Sequence, residues 1–115
     1  MEHPLYPEAT VEDAKQRADL APNIIDNWRQ FSRSVFKDGA LPEKTKHLIA
    51  VAVAHTTQCP YCIRAHTKYA LRKGATKQEI MEAIWVAAEM RAGAAYSHSI
   101  IAMDEMNKVE SAQTK

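Results

Sequence analysis

Glycine is scarce, three residues in a chain of 115. That leaves no glycine-rich loop to cradle a phosphate or a dinucleotide, and no serine sits in a nucleophile elbow, so no nucleotide, flavin or other cofactor is expected. Charge of one sign is lacking as well. Fifteen basic side chains against fourteen acidic ones leave a net charge of +1, which supplies no field for nucleic acid or an anionic membrane surface. The longest uninterrupted apolar run, Leu48 to Ala54, is far below the ~20 residues of a membrane-spanning helix. Met1 to Glu12 carry acids and prolines where a signal peptide needs a basic and then an apolar stretch, so a cytoplasmic address is expected. Alternation of apolar and polar residues is nowhere sustained, which excludes a sheet as the organising element.

Hydrophobic residues at 46% with charged residues at 25% suit one globular domain, 1–115, with a core at about 20–105. Helix signals recur along it. Thr10 with Glu12 and Asp13 caps a short first helix that Leu20-Ala21-Pro22 ends. The spacing of Ile24, Trp28, Phe31 and Val35 predicts a second helix over 23–36, closed by Lys37-Asp38-Gly39. Pro42 and Glu43 open a third, apolar nearly all round, that runs to Thr57 and whose second half is expected to be buried. A fourth begins at Cys59 and stops at Gly74. Thr76 and Glu79 have capping-box spacing for a fifth. Gly93 is expected to separate it from a sixth helix, 94–109, with 110–115 frayed. The prediction is an all-α bundle of about six helices, and such apolar helices in so short a chain point to further burial between subunits.

The two cysteines of the chain are Cys59 and Cys62, in Cys59-Pro60-Tyr61-Cys62, and His66 follows four residues later. Two thiols three positions apart at a helix start can close into a disulfide and reopen. A thiol is mostly protonated at neutral pH, with a reference pKa of about 8.5, and only the thiolate attacks. The helix N-terminus, the second thiol and His66 can each favour that form. Adjacency to His66 favours Cys62 as the nucleophile; thioredoxin-type logic, in which the first cysteine of the motif attacks, favours Cys59.

Two other chemistries use the same residues. His55, Cys59, Cys62 and His66 read H-x3-C-x2-C-x3-H, two thiols and two imidazoles suited to zinc, although structural zinc sites draw their second ligand pair from a distant segment. The thiols can also be buried and inert in an assembly module. His55 and His98 are read as helix-packing or surface histidines, and Trp28 and Trp85 as core or interface anchors.

Pro42-Glu43-Lys44-Thr45-Lys46, the run Leu48 to Ala54, Cys59-Pro60-Tyr61-Cys62-Ile63, His66-Thr67 and Gly74-Ala75-Thr76 with Glu79-Ile80 together resemble the AhpD-like alkylhydroperoxidase branch of the carboxymuconolactone decarboxylase family, over about 20–105. The resemblance implies an AhpD-like helical bundle assembled as a trimer or hexamer. It also implies thiol-dependent reduction of a hydroperoxide, with a dithiol reductant such as a lipoyl or thioredoxin-like protein restoring the thiols. Its peroxidatic cysteine falls on Cys62, its resolving cysteine on Cys59, its relay histidine on His66 and its motif tyrosine on Tyr61. The family's other branch implies decarboxylation or lactone chemistry on an acidic substrate, for which Arg64, Lys68 and Arg91 are the available cations. One departure stands out: the family glutamate twelve residues before the first cysteine is here His47. An imidazole can relay protons near neutral pH but cannot balance a cationic His66. Glu43, one turn earlier on the same helix, could reach the site in compensation, although a first-turn glutamate is more often only a dipole partner.

Overall fold

The computed structural model describes residues 5–113 and, over them, five α-helices: α1 Val11–Leu20, α2 Pro22–Phe36, α3 Glu43–Thr57, α4 Pro60–Arg72 and α5 Lys77–Gln113. Each start has a local cause. The Thr10 hydroxyl accepts the Asp13 N–H at 3.1 Å while the Asp13 carboxylate accepts from the Thr10 hydroxyl at 2.8 Å, a reciprocal cap for α1. Pro22 stands in the first turn of α2, where its missing N–H costs nothing. Asp38 Oδ1 accepts the Glu43 N–H at 2.7 Å and so caps α3 from five residues upstream. At α5 the Thr76 N–H donates to Glu79 Oε1 at 2.9 Å and the Glu79 N–H to the Thr76 hydroxyl at 3.0 Å.

Helix ends follow the same logic. Gly74, at φ +94°, lets the Ala75 N–H reach back to the Ala70 carbonyl at 2.9 Å and its own N–H to Leu71 at 3.0 Å, a left-handed C-terminal stop that a Cβ would strain. Gln58 turns the chain out of α3 with the one positive φ, 59°, among the described non-glycine residues, which sets the sharp entry into α4.

Two expectations about helix ends need correction. Gly93 does not break the last helix: α5 is one helix of 37 residues, about 55 Å long at 1.5 Å per residue, and the described helices number five. A glycine stops a helix when it takes a left-handed conformation followed by a residue that cannot continue. Gly93 has no positive φ and stands among Ala92, Ala94 and Ala95, the best helix formers. Glu110 to Gln113 also continue α5, while 114–115 lie outside the described residues. A Cβ at position 93 would meet Glu89 Oε1 at 3.5 Å, ordinary contact. Gly93→Ala is therefore expected to stabilise the protein by about 0.5–1 kcal/mol, read as a raised thermal midpoint.

α3 lies against both α4 and α5. Val51 and Ala70, fully buried, pack with Ala75 and Ile80, and Leu48 and Ile84 close over them. Burial of the second half of α3 is one-sided: Val51 and Ala54 are inside, whereas Ile49 and Val53 stay about half exposed, 48% and 52%. The stripe Ile24, Trp28, Phe31 and Val35 faces outward, and α2 turns Ile25, Ser32 and Phe36 inward instead. Trp28 and Trp85 are exposed and anchor no core within the chain. The radius of gyration, 20.8 Å, is well above the ~13 Å of a compact domain of about 100 residues, because α5 projects beyond the others.

Candidate functional site

The first two turns of α3, the middle of α4 and the last turn of α2 meet around two imidazoles. Glu43 and His47, four residues apart, share the inner face of α3. His66 comes from α4 one turn beyond Cys62. His47 Nδ1 lies 3.1 Å from His66 Nδ1, and His47 Nε2 lies 3.4 Å from Glu43 Oε1. Lys73 holds the other carboxylate oxygen at 3.0 Å. Phe36 stacks on both rings, with centroids at 4.6 Å from His47 and 4.9 Å from His66, and Tyr69 walls the far side at 5.4 and 5.7 Å.

Tautomers follow from these partners. Two nitrogens 3.1 Å apart share one hydrogen. With the carboxylate of Glu43 accepting from His47 Nε2–H, His47 Nδ1 is bare and His66 Nδ1–H donates to it. His66 Nε2 is then an unprotonated base. A proton taken there lets the Nδ1 proton pass to His47, where the charge meets Glu43. Burial, and then repulsion from His47, hold the His66 pKa below the usual histidine range. The Lys73 ammonium, ahead of His47, holds Glu43 below the usual carboxylate range, against a smaller opposing effect of burial. His47 itself is 5% exposed, so its polar atoms depend on these partners.

The His66 shift has a consequence for stability. As pH falls, the unfolded chain takes a proton on this residue near ~6.5, before the folded protein does, so its contribution to stability is complete above that pH and is lost below it. The thermal midpoint is expected to drop more between pH 7.5 and 5.5 in the wild-type protein than in His66→Gln. Equal drops would mean that His66 titrates as in the unfolded chain.

Cys59 is the residue before α4, and its Sγ accepts the Cys62 N–H at 3.2 Å. Cys59 and Cys62 are joined in a disulfide, Cα to Cα 5.3 Å, and both are partly buried. The sulfurs thus sit at the positive end of the helix that carries His66. Tyr61 turns away: its hydroxyl donates to the Pro7 carbonyl at 2.7 Å and its ring meets the edge of Tyr6 at 6.1 Å. His55 Nδ1 is 2.7 Å from the Val51 carbonyl, one turn back on α3, and His98 is exposed. Among the described residues no group of three or more His, Cys, Asp or Glu is arranged to hold a metal ion, and the quartet His55, Cys59, Cys62 and His66 is not gathered. No helix of the described residues is long and apolar enough to cross a membrane.

A cleft of about 560 Å³ opens beside the imidazole pair, floored by His47, His66, Phe36 and Tyr69. Arg33, Lys37, Arg72 and Lys73 stand around it with Glu43. Sequence reasoning missed Phe36, Tyr69 and Lys73. The signal for Phe36 was the period 25, 32, 36 on α2, masked by the more apolar outward stripe; Lys73, beyond the end of α4, left none.

The chain and its fold resemble known proteins. The family model described as Carboxymuconolactone decarboxylase family matches residues 22–105. "Uncharacterized protein 4 in cox locus" of Paracoccus denitrificans is 58% identical over 90 residues, 78% of this chain and 81% of that protein. The crystal structure of an apo carboxymuconolactone decarboxylase family protein from Legionella pneumophila superposes with a TM-score of 0.66 at 33% identity, covering 69% of this chain and 70% of that one. A protein from Methanobacterium thermoautotrophicum gives 0.68 at 35% identity, covering 72% and 93%. With the matched segment spanning α2 to most of α5, the chain belongs to the carboxymuconolactone decarboxylase family.

Proposed function

We propose that the protein is a thiol oxidoreductase that reduces alkyl hydroperoxides through Cys62 and Cys59. The observation that carries this is the Cys59–Cys62 disulfide at the start of the helix whose next turn delivers His66 into hydrogen-bonding contact with His47. In the reduced protein, the Cys62 thiolate attacks the terminal oxygen of ROOH. The O–O bond breaks, Cys62 becomes a sulfenic acid, and the leaving alkoxide becomes ROH by taking from His66 Nε2 the proton that this nitrogen had accepted from the Cys62 thiol. Cys59 thiolate then attacks the Cys62 sulfur, a disulfide forms, and hydroxide leaves as water with the proton that the Cys59 thiol gave up. Two thiols and ROOH thus give disulfide, ROH and H2O. A dithiol, of lipoyl or thioredoxin-like type, reopens the bond by exchange and is itself oxidised.

The replacement of the family glutamate by His47 fits this scheme once Glu43 is counted. The carboxylate has moved back one turn, and His47 bridges it to His66. Tyr61 has no step in the scheme; its hydroxyl is engaged by Pro7. The work is assigned to the cytoplasm, where reductants of this kind keep thiols available. The exposed Trp85, Met90, Ile100 and Ile101 of α5 support a homo-oligomer that covers them, a trimer or hexamer in keeping with the family.

The test is turnover. Catalytic amounts of protein with excess dithiothreitol are expected to consume an alkyl hydroperoxide for many cycles, at a rate proportional to protein and abolished by alkylating the reduced thiols. Consumption no faster than with dithiothreitol alone would refute the peroxidase reading.

A further inference from the structure

We propose that the cleft beside the imidazole pair is a subsite for an organic carboxylate with an apolar body, so that the substrate of the thiol centre is a hydroperoxide carrying a carboxylate. This rests on the thiol reading for its second half only. Basic and acidic side chains are nearly equal in the chain, fifteen to fourteen, yet the charged residues of this cleft are four basic and one acidic. Lys73 is committed to Glu43 at 3.0 Å. That leaves Arg33, Lys37 and Arg72, and among the described residues none of the three has a carboxylate within ion-pair distance.

The three cations come from two elements. Arg33 and Lys37 belong to the end of α2, where the Lys37 N–H bonds the Arg33 carbonyl at 3.1 Å and Lys46 Nζ donates to the Lys37 carbonyl at 2.7 Å, bringing a further ammonium to the same corner. Arg72 ends α4 with its guanidinium 6.0 Å from the Tyr69 ring centre. A group bound between them meets three cationic side chains, and the arginine forks, which suit a carboxylate, outweigh the partial negative charge at the C-termini of α2 and α4. The floor sets the rest of the ligand. Phe36 and Tyr69 offer ring faces and edges, and 560 Å³ lies within the ~300–1,000 Å³ of small-molecule sites. Because His66 borders the cleft and lies one turn from Cys62, a molecule anchored there by its acid group has its far end directed along α4 toward the motif.

The binding half needs no thiol chemistry. Oxidised wild-type protein, with its disulfide closed, is titrated with 4-phenylbutyrate and with the neutral 4-phenylbutanamide, following histidine ring resonances by NMR. The carboxylate is expected to bind at least tenfold more tightly, to shift the His66 and His47 signals, and to weaken as salt rises. Arg33→Gln with Lys37→Gln and Arg72→Gln, all exposed positions, is expected to bring the carboxylate down to the amide. Equal binding of the two probes, insensitivity to salt, or inorganic phosphate binding as tightly as phenylbutyrate would overturn the subsite. The substrate half is read on reduced protein, as kcat/KM for a carboxyl-bearing alkyl hydroperoxide over its methyl ester. A ratio of ten or more supports it and a ratio of one overturns it. Phenylbutyrate binding without any hydroperoxide turnover would leave the subsite standing and remove the thiol reading, so the two failures are told apart.

Discussion

Cys62→Ser and Cys59→Ser are each expected to abolish dithiol-dependent hydroperoxide turnover, and only the Cys59→Ser protein is expected to yield a trappable sulfenic acid. The two cysteines are not equivalent in the fold. Cys59 precedes α4, and its sulfur already accepts the Cys62 N–H; Cys62 stands in the first turn, one turn from His66. The imidazole that takes the thiol proton and returns it to the leaving alkoxide is therefore local to Cys62. Without Cys59, attack proceeds once and stops at the sulfenic acid, because nothing within the chain condenses with it. A dimedone-type probe and intact mass report the adduct. An adduct on Cys62→Ser instead would assign the attack to Cys59.

The second large effect concerns the imidazole chain. His66→Gln is expected to lower kcat/KM by about 10²- to 10⁴-fold, the range of a general acid–base group, with the disulfide still able to form under a strong oxidant. Glu43→Gln should cost less, about tenfold, near the worth of one hydrogen bond to a charged group. The order follows from the geometry. His66 exchanges the proton, whereas Glu43 acts through His47 at 3.4 Å and is itself balanced by Lys73. A pH profile separates these roles: in Glu43→Gln the charge on the histidine pair loses its counterion, so its apparent pKa in kcat/KM should fall. His47→Glu would set two carboxylates one turn apart and remove the bridge to His66, so the rate should drop.

Much of this site could be read before any coordinates because its parts are local. Cys59, Cys62 and His66 lie within one helix, and their common face follows from 3.6 residues per turn. The caps at Thr10, Thr76 and Gly74 are likewise decided within a few residues. Glu43 and His47 could be placed on one face of α3 in the same way, but not the Lys73 ammonium that fixes the carboxylate, since α3 and the end of α4 meet only in the tertiary fold. Phe36 was hidden for a related reason. On α2 the more apolar stripe, Trp28 and Phe31, faces outward at 58% and 59% exposure, so hydrophobic spacing pointed to the wrong side. A pattern marks a face that will be covered, and in a chain that leaves so much apolar surface open the cover need not be its own core. Gly93 misled in the opposite sense. Its intrinsic cost, about 1 kcal/mol, is outweighed by the strong helix formers around it.

Counting thiols tests the whole account most directly. Protein reduced to two free thiols is given one equivalent of an alkyl hydroperoxide and titrated under denaturing conditions. Both thiols are expected to vanish together, the mass to fall by that of two hydrogens, and dithiothreitol to restore both. Retention of both thiols after the peroxide pulse, or loss of one alone, would contradict the thiol mechanism.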